Sequence, residues 1–173
     1  MDLRYPIGKY KIQPLSEKLL GEWLIDIKNL PQHLENAVLN LDEVQLDTPY
    51  RDGGWTVKQV VHHVADSHMN AFIRIKLGLT EENPTIRPYD EAAWAEMVDT
   101  KNVPINISLT LLHALHIRWY EILKNIEALD LNRTVVHPEH NKTFTIWELI
   151  SQYSWHSRHH VAHITSLRER MKW

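Results

Sequence analysis

Four of the twelve histidines in this 173-residue chain fall within eight positions of one stretch, YSWHSRHHVAHI at residues 153–164. A neutral imidazole ligates divalent metals, a charged one senses pH, and both forms move protons. The cluster is therefore a metal site, a pH switch, or a by-product of a histidine-rich composition. Helical periodicity separates these. At 100° per residue, His156 and His160 fall inside the apolar stripe formed by Ile146, Leu149, Ile150, Tyr153, Ile164, Leu167 and Met171. His159 falls about 110° from the stripe, and His163 lies at its edge. A single core histidine is simply hydrogen-bonded in place. Two on successive turns of a buried face require two buried partners, and this i,i+4 pair has the spacing with which H-x-x-x-H helices grip one metal ion. His159 and His163 repeat that spacing, but the wheel turns them to solvent or behind the ligands.

A further ligand has to come from another element. The segment VHHVADSHMN offers His62, His63 and His68. His68 falls near the centre of its helix's apolar face and His63 about 120° away. Yet His63, Ser67, Asn70 and Arg74 form a polar stripe of their own, which suits either a wet cavity or a solvated face. Periodicity alone favours His68, while the stripe leaves His63 open. Arg74 suits a substrate carboxylate, and Asn70 stands beside it as a second candidate contact. His33, His113, His116, His137 and His140 follow no ligand pattern and read as surface or packing residues.

Four segments with helical periodicity position these residues. The first runs from Ser16, its N-cap, to about Leu41, with Pro31 as a kink site. The second runs from the cap Thr56 to about Leu79. The third runs from Ser108 to about Leu129, and the fourth from Thr145 to Met171. Between the second and third lie residues 80–105 with three prolines, a long connection with one short helix at 90–97. The segment TVVHPEHNKTFTI (134–146) reads as a small hairpin. The expectation is an all-α, single-domain chain (1–173): a four-helix bundle with a long crossover between helices two and three.

Composition narrows the function classes. A net charge of −3 gives no electrostatic footprint for nucleic acid or an anionic membrane. No run has signal-peptide or membrane-span character. With zero cysteines there is no disulfide, thiolate site or cysteine nucleophile, which fits a reducing cytoplasm.

The blocks RYPIGKY, LDTPYRDGGWTVKQVVHHVADSHMNAFIRIKL, RPYDEAAW and WHSRHHVAHI together resemble the YfiT group of DinB-like metalloenzymes, which is related to the bacillithiol S-transferases. The resemblance covers nearly the whole chain. It implies a four-helix bundle, a homodimer, and one divalent metal per subunit, zinc or nickel, held by three histidines. Carried onto this sequence, the H-x-x-D element gives His63 in HVAD, against the wheel's preference for His68. The first and fifth positions of HSRHH give His156 and His160, in agreement with the wheel.

Three histidines leave a coordination position open, as in catalytic zinc sites. Water there can reach a pKa of about 7, which makes a metal-dependent hydrolase acting on a small molecule the first expectation. A low-molecular-weight thiol bound instead would give an S-transferase with an external thiol cosubstrate. A metal-binding module without turnover is the third reading. The glutamate of H-E-x-x-H is absent, because Ser157 follows His156. No general base is therefore assigned, although Asp66 is a candidate acceptor for an imidazole N–H.

Overall fold

Four long helices form in a computed structural model that describes residues 2–139 and 141–173. His140, expected at the surface or in packing, lies outside the described residues. The first long helix, α1 (Glu17–Val38), continues through Pro31; the Ser16 hydroxyl accepts from the Leu19 N–H and starts it. A short α2 (Glu43–Leu46) follows behind a reciprocal Asp42/Gln45 capping box. The second long helix, α3 (Val57–Thr80), starts from the equivalent Thr56/Gln59 box. The crossover holds α4 (Glu91–Ala95) and α5 (Val98–Asn102), where one short helix was expected.

The third long helix, α6 (Ile105–Leu123), differs from its expected span of 108–129 at both ends. Pro104 occupies its N-cap, where a missing N–H costs nothing, so the helix begins directly behind it. At the other end Asn125 bonds back to the Ile122 carbonyl and tightens the chain into a turn. Ile126 still packs on the core from beyond the helix, which is why the apolar spacing runs on. Strands β1 (Thr134–His137) and β2 (Lys142–Thr145) form the expected hairpin, pairing Val135 with Phe144. Then α7 (Ile146–Met171) starts from a Thr145/Glu148 capping box.

Helix α1 packs on α6 and α7, and α3 packs on the same two, so α1 and α3 stand across the diagonal. The crossover carries the chain from α3 to its neighbour α6. Arginine forks finish two helix ends, where carbonyls lack partners. Arg168 donates to the Ala37 and Leu39 carbonyls at the end of α1, and Arg133 donates to the Gly78 and Glu81 carbonyls at the end of α3.

The buried apolar side chains divide into two clusters. One gathers Trp23, Ile27, Ile75, Trp119, Ile146 and Ile150. The other gathers Leu30, Leu34, Val60, Val61, Leu112 and Ile164. In the interval between them on α3 and α7 lie His68, His156 and His160, and His116 follows Leu115 at the edge of the first cluster on α6. No helix among the described residues is long and apolar enough to cross a membrane.

Candidate metal centre

The capping boxes of α3 and α7 fix where each helix starts and therefore which residues face each other across their contact. His63 on α3 meets His156 and His160 on α7, with ring centroids 5.5 and 4.8 Å away, and the two α7 rings are 4.4 Å apart. One ring nitrogen from each lies within 4.8 Å of the other two, and such a group could hold a metal ion. Burial, and secondarily the nearby His163, lowers the pKa of His63 to about 4. Burial also drives His156 and His160 well below the ordinary imidazole value, with neighbouring histidines adding to the effect. All three are therefore neutral at pH 7, the form that ligates. Three imidazole nitrogens without a thiolate or paired carboxylates suit a divalent transition ion better than magnesium or calcium.

Two cavities reach this centre. The first, about 450 Å³, is walled by the three histidines with Tyr50, Trp55 and the N-terminal Arg4 and Tyr5. The second, about 530 Å³, is bounded by Ser67, Arg74, Tyr89 and the hairpin residue His137. His156 and Glu91 line both. Glu91 is the carboxylate on the first cavity's wall; burial, then the adjacent Asp90, raises its pKa. Its only signal in the sequence was its place in RPYDEAAW.

The expected site residues separate. Arg74 donates through Nη2 to the Arg87 carbonyl, while its buried Nε has no partner. Asn70 gives its amide to the Asp66 carbonyl on its own helix and is on the wall of neither cavity. Asp66 is half-buried, its carboxyl raised to about 6 by burial first and Asp99 second. His68 is fully buried, its two ring nitrogens facing His116 and His156. His159 and His163, expected at solvent or behind the ligands, are both buried, and His163 Nδ1 lies 3.3 Å from His160 Nδ1. Tyr5 and Trp155 stack on His159, and Tyr50 stacks on His163 at 4.0 Å. The covering residues come from parts of the chain that a helical wheel does not represent.

The DinB superfamily profile matches residues 27–164. This chain belongs to the DinB superfamily. A relative from Bacillus cereus, named "Putative metal-dependent hydrolase", is 53% identical over 173 residues, 99% of each chain. One from Bacillus thuringiensis with the same descriptive name matches to the same identity and coverage. Among solved structures, YfiT from Bacillus subtilis superposes with a TM-score of 0.97 at 48% identity, covering 100% of this chain and 99% of that one. It is described as a probable metal-dependent hydrolase with an unusual four-helix bundle topology. The four long helices described above agree with the four-helix bundle of that structure.

Proposed function

We propose that this DinB-superfamily chain is a metal-dependent hydrolase of small molecules, with one zinc or nickel ion held by His63, His156 and His160. The observation that carries the reading is three neutral imidazoles converging where two open cavities meet. A divalent ion there would supply Lewis acidity, lowering the pKa of water or of a thiol. Glu91 takes the proton as water attacks, since it lines both cavities and its raised pKa makes it a better acceptor. Arg74, whose guanidinium side chain lines the second cavity, orients an anionic group of the substrate there. Of the two α3 residues expected to touch substrate, the proposal uses Arg74 alone.

One observation favours the S-transferase alternative: two separate cavities sharing His156 could seat a thiol in one and its electrophile in the other. Untagged protein should carry about one equivalent of zinc or nickel and cleave simple esters without added thiol. Thiol-dependent consumption of a chromogenic electrophile without ester cleavage would overturn hydrolysis in favour of transfer. Stoichiometric metal with neither activity would leave a binding module.

The assembly we propose is a cytoplasmic homodimer. The absence of cysteine supports the compartment. The exposed Ile73 and Ile117, beside an apolar cleft lined by Phe72 and Ile122, support a self-association surface. Sedimentation equilibrium tests the dimer.

A further inference from the structure

Two chains of hydrogen-bonded histidines run through the protein, and each starts at a backbone carbonyl and ends at a member of the candidate centre. In the first, His116 Nδ1 is 2.6 Å from the Ile27 carbonyl, and His116 Nε2 is 3.0 Å from His68 Nδ1. His68 Nε2 is in turn 3.1 Å from His156 Nδ1. In the second, His163 Nε2 is 3.2 Å from the Arg4 carbonyl, and His163 Nδ1 is 3.3 Å from His160 Nδ1.

A carbonyl oxygen can only accept, and a neutral imidazole has one N–H and one bare nitrogen. The direction of every bond follows. His116 donates from Nδ1 to Ile27, which leaves its Nε2 bare to accept from His68 Nδ1–H. His68 Nε2 is then bare and accepts from His156 Nδ1–H. By the same steps His163 donates from Nε2 to Arg4, and its bare Nδ1 accepts from His160 Nδ1–H. Both chains end with the proton on Nδ1 and the lone pair on Nε2. The alternatives are a His68 or a His116 cation donating both ways, or a His163 cation in the second chain. Each would place an unpaired charge in a buried ring, 0% exposed at His68, 2% at His116 and 4% at His163, with the first two edge-on to Trp119.

We infer that these two relays, set by the Ile27 and Arg4 carbonyls, hold His156 and His160 as Nδ1–H tautomers and present both bare Nε2 atoms to an incoming divalent cation. Free histidine in water favours the opposite, Nε2–H tautomer, so the fold does the sorting before any ion arrives. His68, His116 and His163 are positioning residues, acting on the centre through the rings they bond. The inference rests on the reading of His63, His156 and His160 as ligands and adds how two of them are prepared.

Long-range ¹H–¹⁵N spectra of the full-length, metal-free protein test the tautomers directly. His68, His116, His156 and His160 should show protonated Nδ1 and bare Nε2, and His163 the reverse. An Nε2–H on His156 or His160, or a doubly protonated His68, would overturn the inference. Zinc affinity, read by chelator competition, tests the consequence. H68L should bind zinc about 10–100-fold more weakly. H68Q should restore affinity to within a few-fold of the unsubstituted protein, because an amide accepts from His156 while donating to His116. Unaltered affinity in folded H68L would overturn the positioning role. If H68L does not fold, the pair H163L and H163Q asks the same question of the second relay. Unsubstituted protein that shows the stated tautomers yet binds neither zinc nor nickel would refute the metal centre while upholding the relays. The opposite pair of results would refute the relays alone.

Discussion

On either side of its middle the bundle is packed by aliphatic and aromatic side chains, Ile27, Ile75 and Ile150 at one end and Leu34, Val61 and Leu112 at the other. Between them lies a layer of imidazoles joined edge to edge by hydrogen bonds. The ends gain from removing apolar area from water, a non-directional effect that tolerates similar shapes. The middle gains nothing comparable. Each buried ring nitrogen has to find a partner or incur a desolvation penalty, so geometry there is dictated bond by bond. The contrast teaches that the stability of this fold and the preparation of its site reside in different layers of the same four helices.

Substitutions can break that contrast. The largest effect belongs to the centre: His63→Ala, His156→Ala or His160→Ala should each abolish the stoichiometric ion, measured by elemental analysis, while far-UV dichroism retains the helical signal. Retention of the ion by His63→Ala would remove α3 from the ligand set. In the apolar end, Ile150→Ala empties a fully buried site and should cost about 2–5 kcal/mol in urea unfolding, with zinc affinity unaltered.

Acid sharpens the comparison. Burial holds His116 at about 4, below the 6.5 of a free imidazole, so the unfolded chain takes up the proton first as pH falls. The stability gained by keeping that ring neutral is complete above about 6.5 and lost progressively toward pH 4. At 1.36 kcal/mol per unit this ring alone accounts for on the order of 3 kcal/mol. Chelator-stripped protein should have its urea midpoint fall between pH 7 and 4.5, and a flat profile would contradict the buried neutral layer. The smallest effect belongs to a histidine outside it. His113 meets Glu35 at 3.1 Å with both side chains more than two-fifths exposed, and His113→Ala should change stability by about 0–1 kcal/mol.

Periodicity made the four long helices, the hairpin and the inward pair His156/His160 legible, because those features depend on residues close in sequence. His63 was reached through resemblance and against the wheel. Helix α3 packs on α4, α5, α6 and α7, so His62, His63, Val64, Ala65, Ser67 and His68 are all buried and no single stripe describes it. The burial of His159 and His163 depends on Tyr5, Tyr50 and Trp155 stacking over them, partners that periodicity does not specify. His116 followed no ligand pattern because its bonding partners, Ile27 and His68, lie 89 and 48 positions away. Glu91 carried no periodic signal at all, standing in the irregular crossover.

The opening residues of the chain run along α7, where the Gly8 carbonyl takes the Trp155 indole N–H at 3.2 Å and the Arg4 carbonyl receives His163. Trimming this segment as though it were a dispensable leader would do more than shorten the protein. It would open the mouth of the first cavity beside Trp55 and free the His160 imidazole to turn its proton inward. A shortened form could thus melt like its parent and still have lost its hold on zinc.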